Sequence, residues 1–490
     1  MAWEQNFRRV FLAVVAFLVA DASLKGDTIV LKNGRRISAL SVTQEGDKVS
    51  YETPSGTLTL PRSIVDHVER GGVPSVDGRA AEGSANAATL SLKPPETADS
   101  AALSPNKDEI EKRVIQDSEV DRGYVAQLEE EARSGKALAN QNAAMAHHAA
   151  SQFELAHGEM DLALADERTA LTYAPEQPAL LMNVAYLYLR RSEYTQSLDY
   201  LERARRLAPK DPEVSKLAGW AYYGLNKLDQ AVVEWKHAES LRPDAEVEAA
   251  LKKAERDKQV EAQYEQNESS HFTLRYSGAS QPSLAREVLH TLERHYGAIE
   301  SELNYSPPDS IGVILYTQQA FADITQAPTW AGALNDGRLR IPVQGLSEVT
   351  PELSRVLKHE LTHSFIQQKT QGHAPTWIQE GLAQWMEGKR SNTNAAALNA
   401  IYQNDPALGA RHYEGDWMKL SPADAAAAYA WALANVEYIL ESGGMNDIER
   451  ILQRLAAGDE SQAAVKAVLR CDYTDLTRET VGYLRKTYGN

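Results

Sequence analysis

Prolines 175, 209 and 243 stand 34 residues apart, and that period leaves the middle of this chain few shapes to fold into. Thirty-four residues hold two helices and their turns, and one such unit cannot bury its apolar face alone, so neighbouring units must stack into an elongated helical array. Within the second unit Leu181, Ala185, Tyr188, Leu201 and Ala204 supply large and small residues in alternation, and in the third Gly219, Tyr222, Ala231, Trp235 and Ala238 do the same. Small residues let paired helices approach, and large ones fill the space between units. The first unit is less regular. It keeps Ser151, Ala163 and Ala170 but carries Glu154 and Glu167 where apolar residues are usual.

In period and pattern this region resembles tetratricopeptide repeats, about three of them over residues 143–243. The resemblance implies a right-handed array whose concave face binds a protein partner or recruits substrate. The alternative is a spacer that only buttresses the C-terminal region.

A second signal is chemical. Residues 359–363 read His-Glu-Leu-Thr-His, and seventeen positions after the second histidine comes Glu380, within Trp377-Ile378-Gln379-Glu380-Gly381-Leu382-Ala383. An α-helix advances 100° per residue, so His359 and His363 lie one above the other and can aim two imidazoles at one ion. Glu360 points to a neighbouring part of the same helix, where a carboxylate reaches a water on the metal without binding the metal itself. Val356, Leu357, Leu361, Phe365 and Ile366 give the segment an apolar stripe and predict a buried helix. Trp377, Ile378, Leu382, Ala383, Trp385 and Met386 mark another core-facing helix, opened after Pro375, with Glu380 in its first turn. Two other residues compete with Glu380 as the third ligand: Glu387, two turns further on, and His373 in the intervening loop.

With these residues in view, the segment from about 270 to 445 resembles the gluzincin metallopeptidases, and more narrowly the peptidase MA-like proteins. Carried over, the resemblance implies that His359, His363 and Glu380 bind Zn2+ and that Glu360 is the general base. The metzincin pattern would need histidine at 369, where this chain has Lys369. Thermolysin-type members place an aspartate four residues after the glutamate ligand to orient a histidine; here that position is Gln384. Two histidines and one glutamate also accept other divalent ions.

Amide hydrolysis needs a donor for the developing oxyanion. Tyr429 is the first candidate, on a helix beyond the glutamate ligand, with packing as its alternative role; His412 and Tyr413 are held in reserve. Upstream, Ile311–Tyr316 reads as a strand, and residues 338–343 alternate polar and apolar. Pro342 argues for an edge strand there, an ordinary sheet edge or one that grips an extended peptide by strand addition. On the second reading Leu339→Pro raises KM and leaves the zinc site intact.

The chain's 490 residues exceed one hydrophobic core, so three or more domains are expected. Residues 1–22 have the form of an export signal: Arg8 and Arg9, the eleven apolar residues Val10 to Ala20, then the small-residue site Ala20-Asp21-Ala22. The run is too short to span a bilayer, so the mature chain is expected to have no membrane span and to be periplasmic or extracellular. Cys471 is the single cysteine, which forbids an internal disulfide, and the net charge of -17 argues against a nucleic-acid partner. Residues 23–70 predict a small β-domain with strands at 28–31, 36–42, 48–53 and 57–60. Residues 71–107 predict a disordered linker rich in Ala, Ser, Gly and Pro, and 108–142 a charged helix. After the array, 244–269 predicts a connecting helix, and 270–490 a catalytic domain whose first strand is His271–Tyr276.

The fold expected is multidomain: a small N-terminal all-β module, an α-helical tetratricopeptide array and an α+β zincin-like catalytic domain. The function expected is an exported zinc metallopeptidase acting on a peptide or protein substrate. Its rival is an adaptor that binds partners through the repeats and keeps the zincin fold without catalysis.

Overall fold

The computed structural model describes residues 27–32, 36–39, 41–53, 56–70, 93–95, 103–278, 282–316, 334–335, 337–343, 346–403, 409, 413, 417 and 422–489. The export signal and most of the expected linker lie outside the described residues.

The N-terminal module is all β. Strands β1 (Asp27–Leu31), β2 (Arg36–Ala39), β3 (Ser41–Glu45), β4 (Lys48–Thr53), β5 (Gly56–Pro61) and β6 (Val65–Glu69) form two antiparallel sheets, ordered β2-β1-β6 and β3-β4-β5. Ile29, Val42, Val49, Tyr51, Leu60 and Val65 make its core. The single strand expected over 36–42 is two strands in different sheets.

The charged helix expected over 108–142 is broken twice. Helix α1 (Lys107–Val114) ends in a hairpin of β7 (Ile115–Gln116) and β8 (Glu119–Val120), followed by α2 (Arg122–Ala132). Asp117 and Ser118 take φ of 50° and 63° between the strands, the left-handed turn that suits a two-residue hairpin. Gly135, with φ of 67°, makes the second break. The linker also ends earlier than expected, since Leu103 and Ser104 are buried against the helices, where Ser104 Oγ donates to Asn142 Oδ1 at 2.7 Å.

Paired helices then run as α3 (Ala137–Ala156), α4 (Met160–Tyr173), α5 (Pro178–Arg190), α6 (Tyr194–Leu207), α7 (Pro212–Gly224), α8 (Leu228–Leu241) and α9 (Ala245–Glu261). The 34-residue step is visible in the backbone. Helices α4, α6 and α8 start at 160, 194 and 228, while α5 and α7 start on Pro178 and Pro212, where a missing N–H costs nothing. The turns within the pairs repeat too: Gly158, Ser192 and Asn226 have φ of 79°, 59° and 58°. Packing obeys the small-and-large logic. A Cβ on Gly219 would fall 2.2 Å from Trp235 Nε1, so only glycine admits that indole. The irregular acids of the first unit are buried with partners: Glu167 accepts from His148 Nδ1 at 3.0 Å, and Glu154 pairs with Arg122.

The connecting helix stops at Glu261, short of the expected 269, because Tyr264–Glu268 is strand β9, antiparallel to β10 (Phe272–Ser277). Helix α10 (Pro282–Leu303), β11 (Ile311–Tyr316), β12 (Leu334–Asn335) and β13 (Arg338–Pro342) come next. The sheet order is β12-β13-β11-β10-β9, with β10, β11 and β13 parallel. Strand β13 is therefore not the edge that Pro342 suggested; it pairs with β11 on one side and with the two-residue β12 on the other. Proline is accommodated because it is the last residue of the strand.

Two layers cover this sheet. Phe272, Leu274, Val313, Leu315, Leu339 and Ile341 face α10 and helix α11 (Pro351–Lys369) in the largest core of the molecule. The opposite face, with Arg338, Arg340 and Tyr316, packs on α9. Helices α12 (Thr376–Met386), α13 (Ala395–Tyr402), α14 (Pro422–Ala456), α15 (Ser461–Leu469) and α16 (Tyr473–Tyr488) follow among the described residues. Helix α14 is kinked at Gly444, where φ is 71°.

Candidate metal centre

Helix α11 begins at Thr350, whose hydroxyl accepts from Leu353 N at 3.1 Å, with Pro351 in the first helical position. Leu353, Val356, Leu357, Leu361, Phe365 and Ile366 anchor it in the core, which turns His359 and His363 toward α12. It ends at Thr370. There Gln371 and Gly372 adopt φ of 54° and 84°, and Ala374 N donates to Thr370 Oγ1, reversing the chain into α12. Helix α12 opens after Pro375 and brings Glu380 back over the histidines.

The three side chains converge. His359 Nε2 and His363 Nε2 are 3.2 Å apart, Glu380 Oε2 is 3.4 Å from His359 Nε2, and Glu380 Oε1 is 3.7 Å from His363 Nε2. One donor atom from each lies within 4.8 Å of the others, and among the described residues this is the one group of three or more His, Cys, Asp or Glu so arranged. Glu380 Oε2 is buried without a hydrogen-bond partner, an arrangement a bound cation would relieve. His359 feels burial, which opposes its charge, but Glu387 and Glu380 outweigh it and raise its pKa to about 10. His363 is lowered to about 4 by burial and by its charged neighbour, against the pull of Glu380. Glu380 stays below its ordinary value despite burial, because both histidines favour its charge. A donor set of two imidazoles and a carboxylate, with one atom of each within 4.8 Å of the others, fits zinc.

Glu360 is only 4% exposed, and burial, reinforced by Glu380 and Glu387, lifts its pKa to about 7. A carboxyl poised there exchanges a proton at neutral pH. Tyr429, on α14, donates from Oη to Glu380 Oε1 at 3.3 Å, and burial together with Glu380 and Glu360 pushes its pKa well up, so the phenol remains a donor. What brings α14 so close is Gly381: a Cβ there would sit 2.5 Å from Ala432 O. Gln384 reinforces the crossing, its Nε2 donating to Tyr429 O at 2.8 Å and to Glu380 O at 3.1 Å.

The other candidates fall elsewhere. Glu387 stands behind His359, with Oε1 3.4 Å from Nδ1, on the side away from Glu380. His373 Nδ1 donates to Leu455 O at 3.0 Å and is absent from the cluster. Tyr413 is a core residue, donating to Asn435 Oδ1 and stacked on Tyr473. His412 lies outside the described residues. The arrangement of Glu387 is only half visible in the sequence, since a spacing of seven puts it on the ligand's face of α12 but says nothing of which histidine it meets.

Residues 302–485 match the family model of the Peptidase MA superfamily. This segment, which holds α11, α12 and α14, accordingly has a peptidase MA-like fold, and the chain is a candidate peptidase. No curated protein matches the chain. Among the described residues no helix is long and apolar enough to cross a membrane.

Proposed function

We propose that this chain is a zinc metallopeptidase of gluzincin type, with His359, His363 and Glu380 as the metal ligands. The convergence of those three side chains beside the buried carboxyl of Glu360 is the observation that carries the reading. His359, His363 and Glu380 would hold the ion, which would supply Lewis-acid activation of a water and of the scissile carbonyl. Glu360, buried next to His359 on the same helix, would accept a proton from the attacking water and return it to the departing amine. Tyr429, protonated and aimed at the cluster, donates to the oxyanion as the carbonyl carbon becomes tetrahedral. The apolar helices beneath exclude bulk water from the reacting groups.

The paired helices with their 34-residue step support the further reading that they are tetratricopeptide repeats recruiting a substrate or partner, and the N-terminal sequence supports export. The rival adaptor has no use for a carboxylate buried next to two convergent histidines, and that disfavours it.

Metal analysis of the purified protein, with peptide-library digestion in the presence and absence of a chelator, tests the proposal. Glu360→Gln is expected to retain zinc and lose turnover by at least ~100-fold, the lower end of what general acid–base catalysis contributes. His363→Ala is expected to lose both. A zinc-loaded wild type that cleaves nothing favours the adaptor, and a fully active Glu360→Gln removes the base from the mechanism.

A further inference from the structure

Between the paired helices and the sheet lies a buried cluster of charges that the metal centre does not use. Arg338 and Arg340 are completely buried on β13, and facing them from α9 are Asp257, also completely buried, and Glu261, 1% exposed. Arg338 Nη1 donates to Asp257 Oδ2 at 3.1 Å, and its Nη2 to Glu261 Oε2 at 2.8 Å. Arg340 Nη2 donates to the same Asp257 oxygen at 2.7 Å and to Tyr223 Oη of α7 at 3.0 Å, while its Nη1 donates to Tyr316 Oη at 2.7 Å. Tyr316 Oη in turn donates to Glu261 Oε1 at 2.6 Å, and Arg275 of β10 adds a third guanidinium, 3.0 Å from Glu261. Strand and helix hydrogen-bond each other across more than 75 residues of sequence.

A second, independent contact runs along the turns within the pairs. A Cβ on Gly158 would fall 2.5 Å from the Cα of Gly458, so these two loops touch backbone to backbone. Beside the turn at Ser192, Thr195 donates from N and Oγ1 to Asp309, at 3.1 and 2.6 Å. At the third turn Asn226 meets β11, where a Cβ on Gly312 would come 3.0 Å from its own Cβ. The turns at 158, 192 and 226 repeat every 34 residues, and at each the turn residue or, for the second, Thr195 three residues on meets a different part of the C-terminal body.

We propose that the row of intra-pair turns is a permanent docking edge whose partner is this chain's own sheet domain, with Asp257 and Glu261 as the counter-charges that fasten α9 and α7 to β13. The helical array is then the second covering layer of the sheet that carries the metal helix, and the functional body extends upstream of the matched segment into the array. Removing one sign from such a cluster strands buried charge and is strongly destabilising, whereas removing both signs is often nearly neutral, so the cluster makes a directional bond.

Hydrogen exchange of the full-length chain, followed by mass spectrometry, tests this without reference to metal or catalysis. In the wild type, amides of α7, α9, β11 and β13 are expected to open in one concerted step. Asp257→Asn with Glu261→Gln is expected to lower protection in α9 and β13 together, by roughly 100-fold or more. Replacing both signs with apolar residues, Asp257→Leu and Glu261→Met together with Arg338→Met and Arg340→Met, is expected to restore most of it. Wild-type α9 exchanging independently of β13, an acid-to-amide variant that loosens α9 alone, or a fourfold variant no better protected than the double one would overturn the proposal. Should the double variant fail to fold, the wild-type pattern still decides.

Discussion

Gln384 and Glu387 divide duties that sequence spacing does not assign. The position four residues after Glu380 is where a thermolysin-like arrangement puts its orienting carboxylate, yet Gln384 spends its amide on carbonyls of α12 and α14, fixing the helix crossing. The carboxylate near a proposed ligand histidine is instead Glu387, two turns along, 3.4 Å from His359 Nδ1 and 3.3 Å from Lys389 Nζ. Neither His359 Nδ1 nor Glu387 Oε1 has a hydrogen-bond partner at that separation, and a shift of a few tenths of an ångström on metal binding would join them; such a partner on the far ring nitrogen fixes the tautomer and raises the basicity of the ligating one. Glu387→Gln is therefore expected to weaken zinc binding about 10- to 100-fold, measured by competition with a chromophoric chelator. An unchanged zinc affinity would reduce Glu387 to packing. Tyr429→Phe makes a contrasting prediction: kcat falls about 100-fold while zinc content stays, as expected for a group whose donated hydrogen bond matters in the transition state. Equal loss of zinc and rate would assign Tyr429 to holding Glu380 instead.

Among the elements, helices are easier to foresee than strands, and the reasons are physical. The stripe of Val356, Leu357, Leu361 and Phe365 has one interpretation at helical period, and α11 contains all of it. Proline and glycine mark the start of α12 and the kink of α14. Alternation in Arg338-Leu339-Arg340-Ile341 carries no such certainty, because a polar face signals solvent unless something charged covers it. Here Asp257 and Glu261 do so, from a helix about eighty residues upstream that no local pattern connects to the strand. The corrected position of β13 changes an expectation. With ladders on both sides, Leu339→Pro removes an internal hydrogen bond and much of a fully buried side chain, and is expected to cost about 2–5 kcal/mol through the lost packing alone and to lower the melting temperature. A folded variant that merely binds substrate more weakly would restore the edge-strand reading. The break in the charged helix is hard to read for a related reason: Asp117-Ser118 is a weaker turn signal than Asn-Gly, and only the backbone shows its left-handed pair.

At the scale of the whole molecule, the 34-residue period foretells paired helices but not where their edge comes to rest. Tandem arrays of this kind usually tolerate the gain or loss of a unit, since each unit touches only its neighbours and the stack simply lengthens or shortens. In this chain Gly158, Thr195 and Asn226 each fit a different site, Gly458, Asp309 and Gly312, and α9 must also arrive above β13. Duplicating residues 178–211 is expected to leave the helices themselves foldable but to put α9 out of reach of its arginines, and circular dichroism against thermal melting would separate the two effects. An enlarged chain as thermostable as the original would mean the extra unit bulges out harmlessly. The number of units is thus set by the mould they are pressed into, much as a key's length is set by its barrel, and relatives that share the moulded surface should share the count.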